Sequence, residues 1–279
     1  MTSLHVLATG PLVTIQDRGR VGLAHLGVAR GGALDAPAAA LANRIVGNGA
    51  DDAVLEIVLG GLELRADGGC WVAVTGAGDA HARAEWLPAG GTLRVPTPST
   101  GVRSYVAVAG GIAVPPVLGS RSTDTLAWVG PPRVEAGAVL PVGEPRGQPE
   151  PLDTPRPPRP GPLRVRVGPR ADWFVEGALD RLCATPYVVA ADSNRIGLRL
   201  DGPPIPRARD GELPSEGMVL GAVQVPPSGV PIVFLADHPP TGGYPVLAVV
   251  DEDDLWQCAQ LRPGDAMRFT RARSAGSMG

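Results

Sequence analysis

Polar residues crowd into one stretch of this chain, residues 215–244, SEGMVLGAVQVPPSGVPIVFLADHPPTGGY. Glu216, Gln224, Asp237, His238, Thr241 and Tyr244 stand there among apolar runs and turn-forming Gly and Pro. Gln224 is flanked by Val223 and Val225, and Asp237 closes the run 231–236. A half-buried antiparallel strand alternates polar and apolar residues and turns its carboxylates outward. A carboxylate that ends a buried run and precedes a Gly-Gly turn is placed where a rigid scaffold presents site residues. A purely structural reading fits the same residues: Asp237 caps the Pro-Pro turn, and Thr241 to Tyr244 form a loop.

Three more clusters combine arginine with hydrogen-bonding partners: Gln16-Asp-Arg-Gly-Arg20, Gly119-Ser-Arg-Ser-Thr123 and Asp192-Ser-Asn-Arg195. Such sets suit phosphate, carboxylate or amide ligands, because the guanidinium offers a planar fork of donors. Each alone also reads as a loop whose side chains satisfy its own backbone. Taken with Asp237–Tyr244, they predict a composite polar cleft.

Other chemistries find less support. His5, His25, His81 and His238 share no metal-ligand spacing, and Cys70, Cys183 and Cys258 are odd in number and far apart. No metal site and no disulfide framework are therefore expected. Thr75-GAGDA-His81 lacks the third glycine of a dinucleotide loop and reads as a tight turn. All 25 basic residues are arginine. With no lysine, this chain can carry no Schiff base, P-loop lysine or attached biotin. A net charge of −3 without a basic run argues against nucleic acid. No apolar stretch approaches a membrane span and no leader pattern opens the chain, so a cytoplasmic location is expected.

The elements that must hold these residues read as short strands. The 38 glycines and 31 prolines, about a quarter of the chain, fit many strands joined by turns. Residues 163–167 alternate, as 12–16 do less cleanly, while 71–74, 105–109 and 231–236 read as strands buried on both faces. A Gly-centred turn feeding a strand recurs in 87–95, 134–142 and 261–269, weak evidence for two similar barrels. Helices are expected at 36–46, capped by Asp35, with Pro37 in the first turn and Gly47 at its end, and at 172–184 and 251–260, with Asp172 and Asp251 capping. Eight prolines in 144–162 mark a semi-rigid linker. The expected domains are therefore 1–143 and 163–271, with a disordered tail at 272–279.

Four long motifs make the chain resemble a known family: 31–48 (GGALDAPAAALANRIVGN), 106–123 (VAVAGGIAVPPVLGSRST), 192–203 (DSNRIGLRLDGP) and 215–244. This is the KipA family, also called allophanate hydrolase subunit 2, biotin-dependent carboxyltransferase-like or the 5-oxoprolinase C subunit family. The resemblance runs from about residue 3 to 271. It implies a mainly β protein of two cyclophilin-like β-barrel domains with a few short helices. It implies a KipI-like partner and, in 5-oxoprolinase, a LamB/YcsF-like subunit. The activity implied is ATP-dependent opening of 5-oxo-L-proline to L-glutamate, with ATP and Mg shared with the partner subunits and this chain inactive alone. Related modules fused into urea carboxylase transfer carboxyl from biotin to urea, and one family member is a non-enzymatic regulator that binds an inhibitor of a sensor kinase.

Carried over residue by residue, the motifs fall on Gln16, Asp17, Arg20, Arg121, Thr123, Ser193, Asn194, Arg195, Glu216, Gln224, Asp237, Thr241 and Tyr244. Arginines would hold a carboxylate or phosphate, Arg195 among the catalytic residues. Gln224 and Asn194 would bind the amide, and Asp237 or Glu216 would orient the water. Two positions depart from the family. Pro240 leaves Thr241 as the one hydroxyl before Gly-Gly-Tyr, and Gly130-Pro-Pro-Arg133 replaces a Gly-Arg pair. The oxoprolinase reading ranks first, ahead of the carboxyltransferase module and the regulator, because this chain carries no biotin carboxylase or carrier region.

Overall fold

Alternating and doubly apolar runs become strands here as their patterns require. The computed structural model describes residues 2–78, 82–149 and 160–273. His81, most of the expected linker and nearly all of the expected tail lie outside them. The chain divides into two compact units, Met1–Ala24 with Arg30–Pro157, and His25–Ala29 with Pro158–Gly279. The protein is mainly β with few helices, as the composition requires.

In the first unit β1 (Ser3–Ala8), β4 (Leu62–Ala66), β7 (Thr92–Val95) and β9 (Val139–Pro141) form one sheet in the order β7-β4-β1-β9. A second sheet has the order β2-β3-β8-β5-β6, from β2 (Leu12–Gln16), β3 (Val54–Val58), β5 (Cys70–Gly76), β6 (Glu85–Leu87) and β8 (Arg103–Val108). Leu4, Leu62 and Leu140 from the first sheet share one core with Ile15, Ile57, Val72 and Val106 from the second. Helix α1 (Ala36–Ile45) covers the other face of that second sheet, setting Ala42 and Ile45 against Ala73, Tyr105 and Ala107. Every residue of β8 is therefore buried, which accounts for the apolar run over its last four residues, 105–108. The cap of α1 is local chemistry: Asp35 accepts from the Ala38 N–H at 3.0 Å.

In the second unit eight strands run in the order β18-β11-β12-β15-β14-β17-β10-β19. They are β10 (Leu163–Val167), β11 (Tyr187–Val189), β12 (Gly197–Asp201), β14 (Ala222–Gln224), β15 (Ile232–Phe234), β17 (Val246–Val250), β18 (Ala266–Met267) and β19 (Phe269–Arg271). Only Arg268 separates β18 from β19, yet they hold opposite ends of the order. The sheet must therefore curl back on itself into a nearly closed barrel. A small ribbon, β13 (Glu216–Gly217) with β16 (Thr241–Gly242), is attached to it by the loops.

The three recurrent turns each place a glycine at positive φ, Gly90 at 78°, Gly137 at 89° and Gly264 at 91°, which explains the shared Gly. Two helices come out shorter than expected. Residues 172–184 split into a 3-10 turn and α2 (Ala178–Ala184), because Gly177 adopts a left-handed conformation with φ 75°. Residues 251–260 begin as a 3-10 turn and continue as α3 (Leu255–Gln260). Neither Asp172 nor Asp251 caps: Asp172 pairs with Arg209 at 3.0 Å, and Asp251 accepts from Arg166 at 2.8 Å. The start of the Pro-rich stretch lies back on the first unit, where Arg146 reaches Asp52 and the Trp71 indole donates to Gln148.

Candidate functional site

The motif residues gather into two polar constellations, one in each unit. In the first, β2 ends at Gln16 and hands the chain to a loop that meets residues 117–123. The Thr123 N–H donates to the Ile15 carbonyl at 2.8 Å, so the second segment continues the sheet's backbone pairing. Asp17 then sits under four donors: the Ser120 and Ser122 hydroxyls, each at 2.6 Å, and the N–H groups of Arg121 at 2.6 Å and Gly19 at 2.8 Å. Burial pushes its carboxyl up, but the two serine hydroxyls and the two backbone donors outweigh this and hold it below the ordinary range.

The arginines of this constellation face the backbone. Arg20 is buried and donates to the carbonyls of Val117 and Ser122, and Arg121 donates to that of Val114. Gln16 donates to the Thr123 carbonyl at 2.9 Å and to the Thr14 hydroxyl. Gln16, Asp17, Arg20, Arg121 and Thr123 are thus brought together in an arrangement whose named bonds clasp two loops.

In the second unit the ladder itself makes the meeting. Strands β12 and β15 are antiparallel neighbours with Gly197 opposite Phe234. Their pairing continues past the strand ends, through Leu235 N–H to the Ile196 carbonyl and Asp237 N–H to the Arg195 carbonyl, both at 3.0 Å. Arg195 and Asp237 are thereby set face to face. The guanidinium grips the carboxylate twice, Nε to Oδ2 at 2.8 Å and a terminal nitrogen to Oδ1 at 3.0 Å. The side chains are 1% and 0% exposed. Next to Asp237, buried His238 stacks on Phe234 with ring centres 5.7 Å apart.

Ser193 and Asn194 shape the turn that delivers Arg195. The Asn194 side-chain oxygen accepts from the Ile196 N–H at 2.8 Å, and Ser193 exchanges hydrogen bonds with the Arg199 backbone.

The remaining motif residues converge around the β13–β16 ribbon, which sets Glu216 opposite Gly242 and Gly217 opposite Thr241. Gln224 donates to the Tyr244 carbonyl at 3.1 Å, and a side chain on Gly242 would begin only 3.0 Å from its amide nitrogen. Glu216 is bound by Arg170, whose Nε and terminal nitrogen both donate to it. This pair is 26% and 39% exposed, so unlike Asp237 it meets solvent. The Arg170 hydrogen bonds hold Glu216 below the ordinary carboxylate range, so it is ionised at neutral pH. Thr241 is exposed, and the Arg207 guanidinium lies 5.9 Å from the centre of the half-buried Tyr244 ring.

Sequence reading passed over Arg170 and Arg207, which lie outside every motif. Ser120 and Ser122 stand inside one, but their bond to Asp17 joins residues more than a hundred positions apart. Among the described residues no group of three or more His, Cys, Asp or Glu could hold a metal ion. No helix among them is long and apolar enough to cross a membrane.

The chain is 38% identical to the 5-oxoprolinase C subunit of Escherichia coli (strain K12), over 96% of this chain and 91% of that one. A solved structure, TTHA0988, superposes with a TM-score of 0.86 at 40% identity, covering 97% of this chain and 55% of that one. The chain thus spans about half the length of that protein. The K. lactis urea amidolyase structure gives a TM-score of 0.90 at 31% identity, over 97% of this chain and 19% of that one. The family described as carboxyltransferase domain, subdomain A and B, matches residues 26–271, and the chain belongs to it.

Proposed function

We propose that this chain is the C subunit of a 5-oxoprolinase, a hydrolase component that opens 5-oxo-L-proline to L-glutamate together with partner subunits. One observation carries the reading. The likeness to a 5-oxoprolinase C subunit extends over nearly the full length of both chains, whereas the urea amidolyase likeness takes in a fifth of that protein.

A lactam is resonance-stabilised, so its opening needs an activated carbonyl and an oriented water. Glu216, charged and partly open to solvent, can accept a hydrogen bond from that water or from the lactam N–H. The Arg195–Asp237 pair is a strut that fixes the loop carrying Thr241 and Tyr244. As placed, both Asp237 oxygens are engaged by Arg195, whereas a base must lie within hydrogen-bond reach of the proton it takes.

ATP with Mg belongs to the proposal at the level of the complex. In this reading the nucleotide site is shared with the partner subunits. Among the described residues no group of three or more His, Cys, Asp or Glu could hold the cation, and Arg170 and Arg195 each grip a carboxylate. On this proposal the chain alone turns over no substrate. A KipI-like subunit, and a LamB/YcsF-like one, would complete the machinery.

The test is reconstitution. Purified chain, KipI-like and LamB/YcsF-like subunits, ATP and Mg should release L-glutamate from 5-oxo-L-proline, with none released when this chain is omitted or alone. Biotin-dependent carboxylation of urea instead would place the chain with the carboxyltransferase modules. Partner binding with neither activity would mark a regulator.

A further inference from the structure

The second unit holds a cleft of about 540 Å³ between the loop 204–212 and the turn 227–229. Its volume lies in the range of small-molecule sites. Pro204, Pro206 and Pro227 supply rigid apolar walls, while Arg207, Asp210 and Glu212 bring one positive and two negative charges to the same space. The cleft is tied to the site segment. Arg207 donates to the Val225 carbonyl beside Gln224 and lies over Tyr244, and the Leu213 N–H donates to Gly243 at 3.0 Å.

Arg207 has donor capacity left over. A guanidinium carries five N–H donors. Two of them reach carbonyls, and one of those bonds, to Gly211, is long at 3.3 Å. Gly211 lies in an exposed bend at φ 99°, so an incoming acceptor can displace its carbonyl with little loss. The Nε is buried, so the donors left for the cleft are the second N–H groups of the two terminal nitrogens.

We propose that this cleft binds a small carboxylic acid bearing an N–H donor next to its carboxylate-carrying carbon. Arg207 takes the carboxylate, Asp210 or Glu212 accepts from the N–H, and the prolines pack on the ring or chain between. A lactam acid or an α-amino acid has this chemistry, so the assignment rests on the oxoprolinase reading and gives its substrate a carboxylate anchor. An inorganic anion fits worse, since two carboxylates would face it.

Calorimetric titration of the purified full chain decides the matter with three probes. These are 5-oxo-L-proline, its primary amide, which lacks the charge, and the corresponding lactone acid, which lacks the N–H. The acid should bind at least roughly tenfold more tightly than the amide, as loss of a charge-assisted contact predicts, and several-fold more tightly than the lactone. Arg207→Gln should erase the first difference, and the exposed Asp210→Asn/Glu212→Gln double variant the second. Equal binding of acid and amide by the unmodified chain, or no binding of any probe, overturns the proposal whether or not Arg207→Gln folds.

Turnover by the reconstituted complex separates this proposal from the reading beneath it. An active complex in which Arg207→Gln leaves KM unchanged removes the cleft and keeps the function. Arg207-dependent discrimination between acid and amide in a chain whose complex ignores 5-oxoproline keeps the cleft and removes the function.

Discussion

Asp17 and Asp237 each follow a strand and belong to one of the polar motifs, but the two carboxylates are held by opposite means. Asp17 is half-buried and gathers neutral donors, two serine hydroxyls and two backbone N–H groups. Asp237 is wholly buried and gripped twice by one guanidinium. In the first unit charge is spread over a loop clasp, and no single donor carries it. In the second a full ion pair is removed from water, where desolvation opposes it and each ion depends on the other. The same residue types at strand ends therefore give a distributed lock in one place and an all-or-none lock in the other.

The largest effect is expected where the lock is all-or-none. Asp237→Asn leaves the Arg195 charge buried without its counter-ion and should destabilise the protein by about 3–5 kcal/mol in urea denaturation. Replacing both ions by apolar residues of similar volume, Arg195→Met with Asp237→Leu, should recover most of that loss. The opposite outcome is equally informative. A folded Asp237→Asn chain with native stability and lost turnover in the complex would make Asp237 the base and dissolve the contrast.

Asp17→Asn should do less, about 1–3 kcal/mol, because the Asn side chain still accepts at one oxygen while its NH2 opposes the remaining donors. The acid dependence has a definite sign. The folded-state pKa of Asp17 is depressed below its ordinary 3.8, so its contribution is complete above that value and lost as pH falls through the folded pKa. Ser122→Ala removes one of the lowering bonds and should raise the Asp17 pKa in a carbon-detected NMR titration. An unchanged titration would mean that the hydroxyl does not hold the carboxylate.

What was legible in the sequence was local. Asp35, Pro37 and Gly47 announce α1 because capping acts within a turn of the helix. Doubly apolar runs announce buried strands because both faces of β8 are covered. Phe174, Ala178 and Leu182 have helical spacing and are all buried, yet Gly177 breaks the helix between them, and burial alone satisfies the pattern. The motifs marked which residues are polar and clustered, but their partners are set by sheet register. Asp237 meets Arg195 across 42 positions through β12 and β15, and Glu216 meets Arg170 across 46 with no motif at Arg170. Nothing near Asp237 in the chain shows that it is sealed, or near Glu216 that it is open.

The smallest effect on folding is expected at that open pair. Glu216 and Arg170 both meet solvent, where such pairs contribute little to stability because water competes and salt screens. Glu216→Gln should leave the melting temperature close to that of the unmodified chain, in contrast to Asp237→Asn. Its consequence should fall on chemistry instead. If Glu216 orients water or the lactam N–H, turnover by the reconstituted complex should drop on the order of a hundredfold. Arg170→Gln separates positioning from charge. It releases Glu216, whose pKa should rise towards the ordinary 4.5, and the acid limb of the pH–rate profile should move up with it. A profile that stays in place would show that another group sets that limb. Full turnover in Glu216→Gln would reduce the pair to an anchor of the β13–β16 ribbon, and would make the two units alike in using their motif carboxylates for architecture.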